Sequence, residues 1–112
     1  MAQVLVDPQS VTVVLSAAEK LESIHGDLTV PRSAVRAARA VEDGMAEIHG
    51  LRTPGTGVPG LILAGTFRDK GVRTFAVCHR HRPAVLLELD GELFDRVVVT
   101  VDDPQSILRA LG

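Results

Sequence analysis

Four short apolar runs between residues 60 and 101 constrain the fold of this chain more than any other feature. Their sequences are LILAGTF, VRTFAVCH, PAVLLELD and DRVVVTV, and each break between them contains Gly, Pro or a cluster of charges. Each run has the length of one strand and is too short for a typical helix. The runs are rich in β-branched, aromatic and leucine side chains, which suit a pleated surface. We therefore predict an antiparallel meander of four strands.

The faces of the last two predicted strands follow from the alternation of residues along each run. One face is apolar and is assigned to the core, as a period of two in antiparallel strands indicates. Its members are Val85, Leu87, Leu89, Val97, Val99 and Val101. Leu86 and Val98 lie on the opposite face. Either another layer covers these two residues, or they form an exposed interface for a partner protein or a second copy of the chain.

The first thirty residues predict shorter elements. The apolar runs VLV and VTVVL flank residues 7–10, where Asp-Pro and Ser favour a turn, so we predict a hairpin. Ser16 and Glu19 match a capping box, in which each side chain bonds the backbone amide of the other residue. This match predicts a short helix near residues 17–25. A short strand is predicted at residues 27–30.

Residues 33–41, with the sequence SAVRAARAV, carry two conflicting signals. Their Ala and Arg content and the Ser33 start favour a helix. The same residues also alternate as a strand would, with one side formed by Val35, Ala37, Arg39 and Val41. Periodicity does not decide between the two structures.

The end of the chain predicts a helix that closes the strand-rich part. Asp103 is a suitable N-cap, and Pro104 fits the first helical position. Ile107, Leu108 and Leu111 then form an apolar stripe at helical spacing.

Composition bounds the class of protein. A chain of 112 residues has room for one domain, and its net charge of −2 lacks the basic stripe that nucleic-acid binding requires. Its apolar runs are too short for a transmembrane segment, and its start does not resemble a signal peptide, so we expect a cytoplasmic location. The single cysteine, Cys78, excludes an internal disulfide.

A small anion site is one candidate function, and it follows from the predicted meander. Alternate connections of a meander lie at the same end of the sheet, which brings residues 52–60 and 79–82 together. The residues we expect to bind a small anion or a lipid headgroup there are Arg52, Gly55, Gly57, Arg80 and Arg82, because Arg offers a bidentate fork and Gly admits a ligand to the backbone. The alternative is that Arg80 and Arg82 pair with the acidic residues 102 and 103.

Metal and catalytic sites receive less support. Cys78 and His79 are adjacent, but alternation directs them to opposite faces, and no second cysteine pair or carboxylate cluster completes a tetrahedral site. Cys78 and Ser33 are conceivable nucleophiles, yet no catalytic motif surrounds either. We expect no metal, no cofactor and no catalytic residue, with a small enzyme as the remaining alternative.

The segments LTVPRSAV, RTPGTGVPGLILAGTFR and RPAVLLELDGELFDRVVVTVDDP, with the terminal helix, resemble the bacterial pleckstrin-homology-like (PH-like) domains, in particular short actinobacterial-type members. The resemblance covers residues 11–111. It implies an α+β, mainly β fold: a bent antiparallel barrel of about seven strands over residues 1–112, capped by the C-terminal helix. It also implies a strand at residues 33–41, and we adopt that interpretation. Eukaryotic PH domains bind phosphoinositides through a basic loop, but residues 7–10 here contain no Lys or Arg.

From these observations we expect a non-catalytic binding or scaffolding module that acts through protein contacts, including self-association. The alternative is a binder of small anions at the loop end defined above.

Overall fold

The computed structural model describes residues 2–17, 19–20, 26–48, 51–53 and 62–112. The strands within these residues are β1 (Gln3–Val6), β2 (Ser10–Val14), β3 (Leu28–Pro31), β4 (Val35–Val41), β5 (Leu51–Thr53), β6 (Ile62–Asp69), β7 (Val72–His79), β8 (Ala84–Leu89) and β9 (Arg96–Thr100). One helix, α1 (Pro104–Leu111), ends the chain, and short 3-10 turns occupy Arg32–Ala34 and Gly44–Glu47. No helix in the described part of the chain is both long enough and apolar enough to cross a membrane.

The strands form two sheets, and the chain is mainly β, as predicted. The smaller sheet has the order β1-β2-β3, and the larger has the order β4-β8-β9-β7-β6-β5. The described strands do not close these sheets into a barrel, so the barrel stays a prediction. The predicted hairpin is confirmed: β1 and β2 pair antiparallel, and the Asp7 carboxylate accepts hydrogen bonds from the backbone amides of Gln9 and Ser10 at 2.8 and 2.7 Å.

The predicted meander is wrong in its middle. All four strands exist, and the β6–β7 and β8–β9 pairs are antiparallel, but β9 lies between β7 and β8 and pairs with β7 in parallel. Since β8 runs opposite to β7, a strand that pairs antiparallel with β8 must run parallel to β7. Residues 80–83 carry the chain across the extra strand, a distance of about 10 Å that four residues span easily. Alternation specifies the face of each residue, but it does not specify the neighbouring strand.

The strand interpretation of residues 33–41 is confirmed for residues 35–41. Ser33 lies in the 3-10 turn, and β4 pairs antiparallel with β8 from Val35 to Val41. Sheet pairing here overrides the helical preference of Ala and Arg. The composition nevertheless has a structural reason, because β4 is an outer strand of the sheet and Arg36, Ala37 and Arg39 are exposed.

The main core lies between the two sheets and the helix. The six residues assigned to the core face of β8 and β9 are all buried in it, together with Phe75 and Ile107. Leu108 and Leu111 pack against this cluster, so the apolar stripe predicted for the terminal helix is confirmed.

A second apolar cluster lies on the other face of the large sheet and corrects the prediction of an exposed patch. Leu86 is 1% exposed and Val98 is 0% exposed. Met45 and Ile48, in and after the 3-10 turn Gly44–Glu47, pack against the cluster that contains them. Leu86 and Val98 are therefore core residues and are not available to a partner protein in this conformation.

Both predicted helix starts are confirmed. Ser16 and Glu19 form the reciprocal capping box, with distances of 2.9 Å from the Ser16 amide to Glu19 Oε1 and 3.2 Å from the Glu19 amide to Ser16 Oγ. Residues 17, 19 and 20 are helical, while residues 18 and 21–25 of the predicted helix lie outside the described residues. Asp103 caps α1 by accepting a hydrogen bond from the Ser106 amide at 3.3 Å.

Candidate functional site

The structure separates Arg52 from Arg80 and Arg82, the other two arginines of the predicted anion site. Ile62 pairs with His79, so the turn at residues 80–83 lies at the end of the sheet where β6 begins. Arg52 lies elsewhere, because it pairs with Phe67, which in turn pairs with Thr74. Thr74 is six residues along the chain from Arg80, or about 20 Å in an extended strand. Gly55 and Gly57 lie outside the described residues.

The arginines of the 80–83 turn do not form the expected ion pairs either. Arg80 and Arg82 are exposed, and no contact within 4.0 Å joins them to a carboxylate in the described part of the chain. Asp103 lies 3.9 Å from Arg109 on its own helix instead. Among the described residues, the turn is thus basic and solvated, and no convergent set of groups that could hold a small anion surrounds it.

Cys78 and its neighbour His79 lie in different surroundings, as alternation predicts. Cys78 is fully buried in the second cluster, its Sγ lies 3.5 Å from the carbonyl oxygen of Val98, and burial raises the pKa of its thiol to about 12. A protonated, enclosed thiol is a poor nucleophile and a poor metal ligand. Among the described residues, no group of three or more His, Cys, Asp and Glu side chains is placed to bind a metal ion.

His79 forms a contact that sequence analysis missed. Its Nε2 lies 3.0 Å from Glu19 Oε2, and Glu19 is only 2% exposed. Burial raises the pKa of Glu19, but the hydrogen bonds from His79 and from the Ser16 amide outweigh burial, and the net pKa lies below its ordinary value. The two residues are sixty positions apart, and no local pattern links them. This pair joins the capped helical turn to the large sheet.

A groove between β4 and α1 is the best candidate for a binding site. As one of the two outer strands of the large sheet, β4 is hydrogen-bonded along one side, by β8. Helix α1 lies beside it and contacts it. The guanidinium of Arg32, just before β4, donates hydrogen bonds at 3.0 Å to the carbonyl oxygens of Ala110 and Leu111. These bonds satisfy the end of the helix and fix it relative to the start of the strand.

Two depressions lie in this groove, one toward each end of β4. The first has a volume of about 310 Å³ and is lined by Val35, Arg36, Ala37 and Ala38 of the strand and by Leu108 and Leu111 of the helix. The second has a volume of about 330 Å³ and is lined by Ala40, Val41, Glu42, Pro83, Pro104 and Gln105. The small alanine side chains of β4 leave this space open. The Ala-rich sequence that favoured a helix is therefore the signal that pointed to the groove.

The arginines at and just before β4 differ in whether their guanidinium groups already have a partner. Arg39 is already paired, with its Nη2 3.0 Å from Glu47 Oε1. Arg32 bonds the helix carbonyls. Arg36 is exposed, borders the first depression, and lies within 4.0 Å of no carboxylate in the described part of the chain. The groove therefore presents one uncommitted positive charge at the end where the strand begins.

Comparisons with known proteins add no further guidance for this chain. A scan against protein-family models, a search of curated proteins and a search of solved structures found no match. The geometry of the groove is therefore the basis on which a function can be assigned.

Proposed function

We propose that this chain is a non-catalytic protein-binding module that accepts an extended segment of a partner protein as an added strand on β4. A strand at the edge of a sheet presents backbone N–H and C=O groups along its outer side, which form a template for another strand. The observation that carries the proposal is the open outer side of β4. Within the described residues, the backbone hydrogen bonds of β4 go to β8, except that the Val35 amide donates to the Arg32 carbonyl oxygen in the preceding 3-10 turn.

The other sheet edges are less suited to this role. β4 has seven residues, whereas the edge strands β1, β3 and β5 have four, four and three. Edge strands are usually protected by shortness, proline, charged side chains or irregularity. Of these, β4 carries two arginines, one of which is paired with Glu47. β3 ends in Pro31, and β4 has no proline and a single irregularity, near Val35. A seven-residue edge offers enough backbone pairs for specific recognition by strand addition.

The helix supplies a second surface for the same partner. An added strand beside β4 lies next to α1, so its side chains on that side reach the two depressions. Backbone pairing then contributes affinity, and the depressions contribute specificity. The resemblance to PH-like domains remains a proposal about ancestry only. The parallel β7–β9 pair departs from the all-antiparallel barrel that this resemblance implies.

Backbone NMR tests the proposal. The probe is a pool of capped seven-residue peptides randomised over Thr, Val, Leu, Glu and Lys, added in excess to ¹⁵N-labelled protein. We expect amide shifts confined to residues 35–41 and to α1, with dissociation constants of about micromolar to millimolar, because the interface is small. A matched pool with N-methylated backbones should be inactive, since it lacks the N–H donors.

Two results contradict the proposal. The first is an absence of shifts at residues 35–41 with millimolar peptide. The second is a concentration-dependent dimer, measured by light scattering, in which the β4 amides become protected without peptide. That outcome makes a second copy of the chain the occupant of the edge.

A further inference from the structure

We infer that the groove selects an extended segment carrying two apolar side chains four residues apart, with a carboxylate midway between them. This inference rests on the proposed strand addition and specifies the class of partner. It is argued from the spacing of the two depressions and from the state of the charges along β4.

The spacing follows from the residues that line each depression. The β4 residues that line the first are centred between Arg36 and Ala37, and those that line the second are centred on Val41. The centres are thus between four and five residues apart on β4, or about 15 Å at 3.3 Å per residue. In an added strand, residues i and i+4 lie about 13 Å apart and point to the same side. Residues i and i+3 point to opposite sides, so they cannot enter both depressions.

The lining determines which side chains fit. Ala37, Ala38, Leu108 and Leu111 give the first depression an apolar wall, and Val41, Pro83 and Pro104 do so for the second. Each volume accommodates one branched or aromatic side chain. A partner residue of that kind removes apolar surface from water on both molecules, which is the main source of affinity that such a groove offers.

The charge preference follows from Arg36. Its guanidinium is the one along β4 that neither caps the helix nor pairs with a carboxylate among the described residues. Arg36 also lines a separate polar cleft together with Glu88 and Asp90, but neither carboxylate lies within 4.0 Å of its guanidinium. A carboxylate at position i+2 of the partner lies on the same side as the two apolar residues. It then lies between two and three residues, or about 9 Å, along the strand from Arg36, a distance that the Arg36 and Glu side chains can span together, whichever way the added strand runs.

Three capped seven-residue peptides test the inference. The matched peptide is polythreonine with Leu at the second and sixth positions and Glu at the fourth. The register control has the same composition with Leu at the second and fifth positions and Glu at the sixth. The charge control has Lys in place of Glu. We expect the register control to bind at least about tenfold more weakly, since one Leu loses its depression. The charge control should bind about two- to fivefold more weakly, because the ion pair is exposed.

Protein variants provide the reciprocal test. Ala37→Leu fills the first depression from an exposed position and should weaken the matched peptide about tenfold. Ala110→Leu adds the same side chain to the exposed face of the helix and should leave binding unchanged. Arg36→Glu should reverse the preference, so that the Lys peptide binds better than the Glu peptide.

The outcomes separate this inference from the proposed function. Shifts at residues 35–41 that are equal for all three peptides overturn the inference and leave strand addition intact. Binding of the matched peptide that is insensitive to both Ala37→Leu and Arg36→Glu also overturns it. If neither these peptides nor the randomised pool shifts residues 35–41, both proposals fail together.

Discussion

The neighbouring strands β8 and β4 differ in composition, in burial and in the number of strands that pair with them. In β8, AVLLEL, five of six residues are buried, whereas β4, VRAARAV, has no fully buried residue. Strand β8 lies between two neighbouring strands and between two apolar clusters, whereas β4 has one neighbouring strand and an open side. The comparison teaches that stability is concentrated in the centre of this sheet, while the capacity to bind another chain lies at its edge.

Replacing Leu86 should have the largest effect on the free energy of unfolding. Leu86→Asp places a charge in the second apolar cluster, so we expect a loss of at least about 4 kcal/mol and unfolding of most of the protein at room temperature. Ala37→Asp introduces the same carboxylate on the exposed side of β4 and should change the free energy of unfolding by less than about 1 kcal/mol. Urea unfolding followed by circular dichroism measures both. A folded, stable Leu86→Asp protein would show that the second cluster is not a core.

A smaller loss of stability is expected for a substitution in the 3-10 turn Gly44–Glu47, where it approaches the large sheet. A Cβ at Gly44 would lie 2.8 Å from Ala84 Cβ and 2.9 Å from Cys78 Sγ, so Gly44→Ala should cost about 1–3 kcal/mol through overpacking. Gly26→Ala is the matched control, because its added Cβ meets no described residue within 4 Å apart from its chain neighbours. Combining Gly44→Ala with Cys78→Ala removes one of the two clashes. The double variant should therefore lose less stability than the sum of the single variants. Strict additivity would mean that the two residues do not touch.

The Glu19–His79 pair predicts that the stability of the protein depends on pH. The folded-state pKa of Glu19 lies below its unfolded value of about 4.3, so its contribution is present above that pH and is lost as the pH falls through the folded-state pKa. Glu19→Gln should cost about 1–2 kcal/mol near pH 7, because the carboxylate accepts bonds from both Ser16 and His79. Urea midpoints between pH 6 and pH 3 test this, since the difference between wild type and Glu19→Gln should shrink on acidification. A constant difference contradicts the assignment.

The smallest effect on stability is expected at the edge charge. Arg36→Glu should change the free energy of unfolding by no more than about 0.5 kcal/mol, because Arg36 is exposed and forms no ion pair within the described residues. Arg68→Glu, also exposed but on β6, is the control for the change in net charge. Peptide binding should respond to the first variant and not to the second. An equal response of both would indicate nonspecific attraction.

The sequence predicted the elements of this fold better than their arrangement. The strands of the second half, the capping box at Ser16 and the apolar stripe on α1 follow from interactions between residues that are close in the sequence. Such interactions are present in the folded chain whatever the arrangement of the strands. The position of β9 between β7 and β8 does not, because strands with two apolar faces carry no mark of their neighbours. For the same reason the alternation that placed Leu86 opposite the main core could not reveal that Met45 and Ile48 cover it.

The candidate site was less accessible from the sequence than the fold was. The anion-site prediction depended on Arg52 lying near Arg80, and the pairing of β5 with the far part of β6 separates them. The groove depends on which strand lies at the edge, which is a property of the whole sheet. Only the Ala and Arg content of residues 35–41 indicated it, and helix propensity alone misreads that content.

Amide hydrogen exchange of β4, with and without the matched peptide, tests the central claim most directly. In the free protein, we predict slow exchange for the amides that bond β8 and fast exchange for the alternating amides on the outer side. Saturating peptide should slow the outer amides and leave exchange in β8 unchanged. Uniform protection of residues 35–41 without peptide, or fast outer amides that saturating peptide does not slow, would contradict the claim that this edge is a binding site.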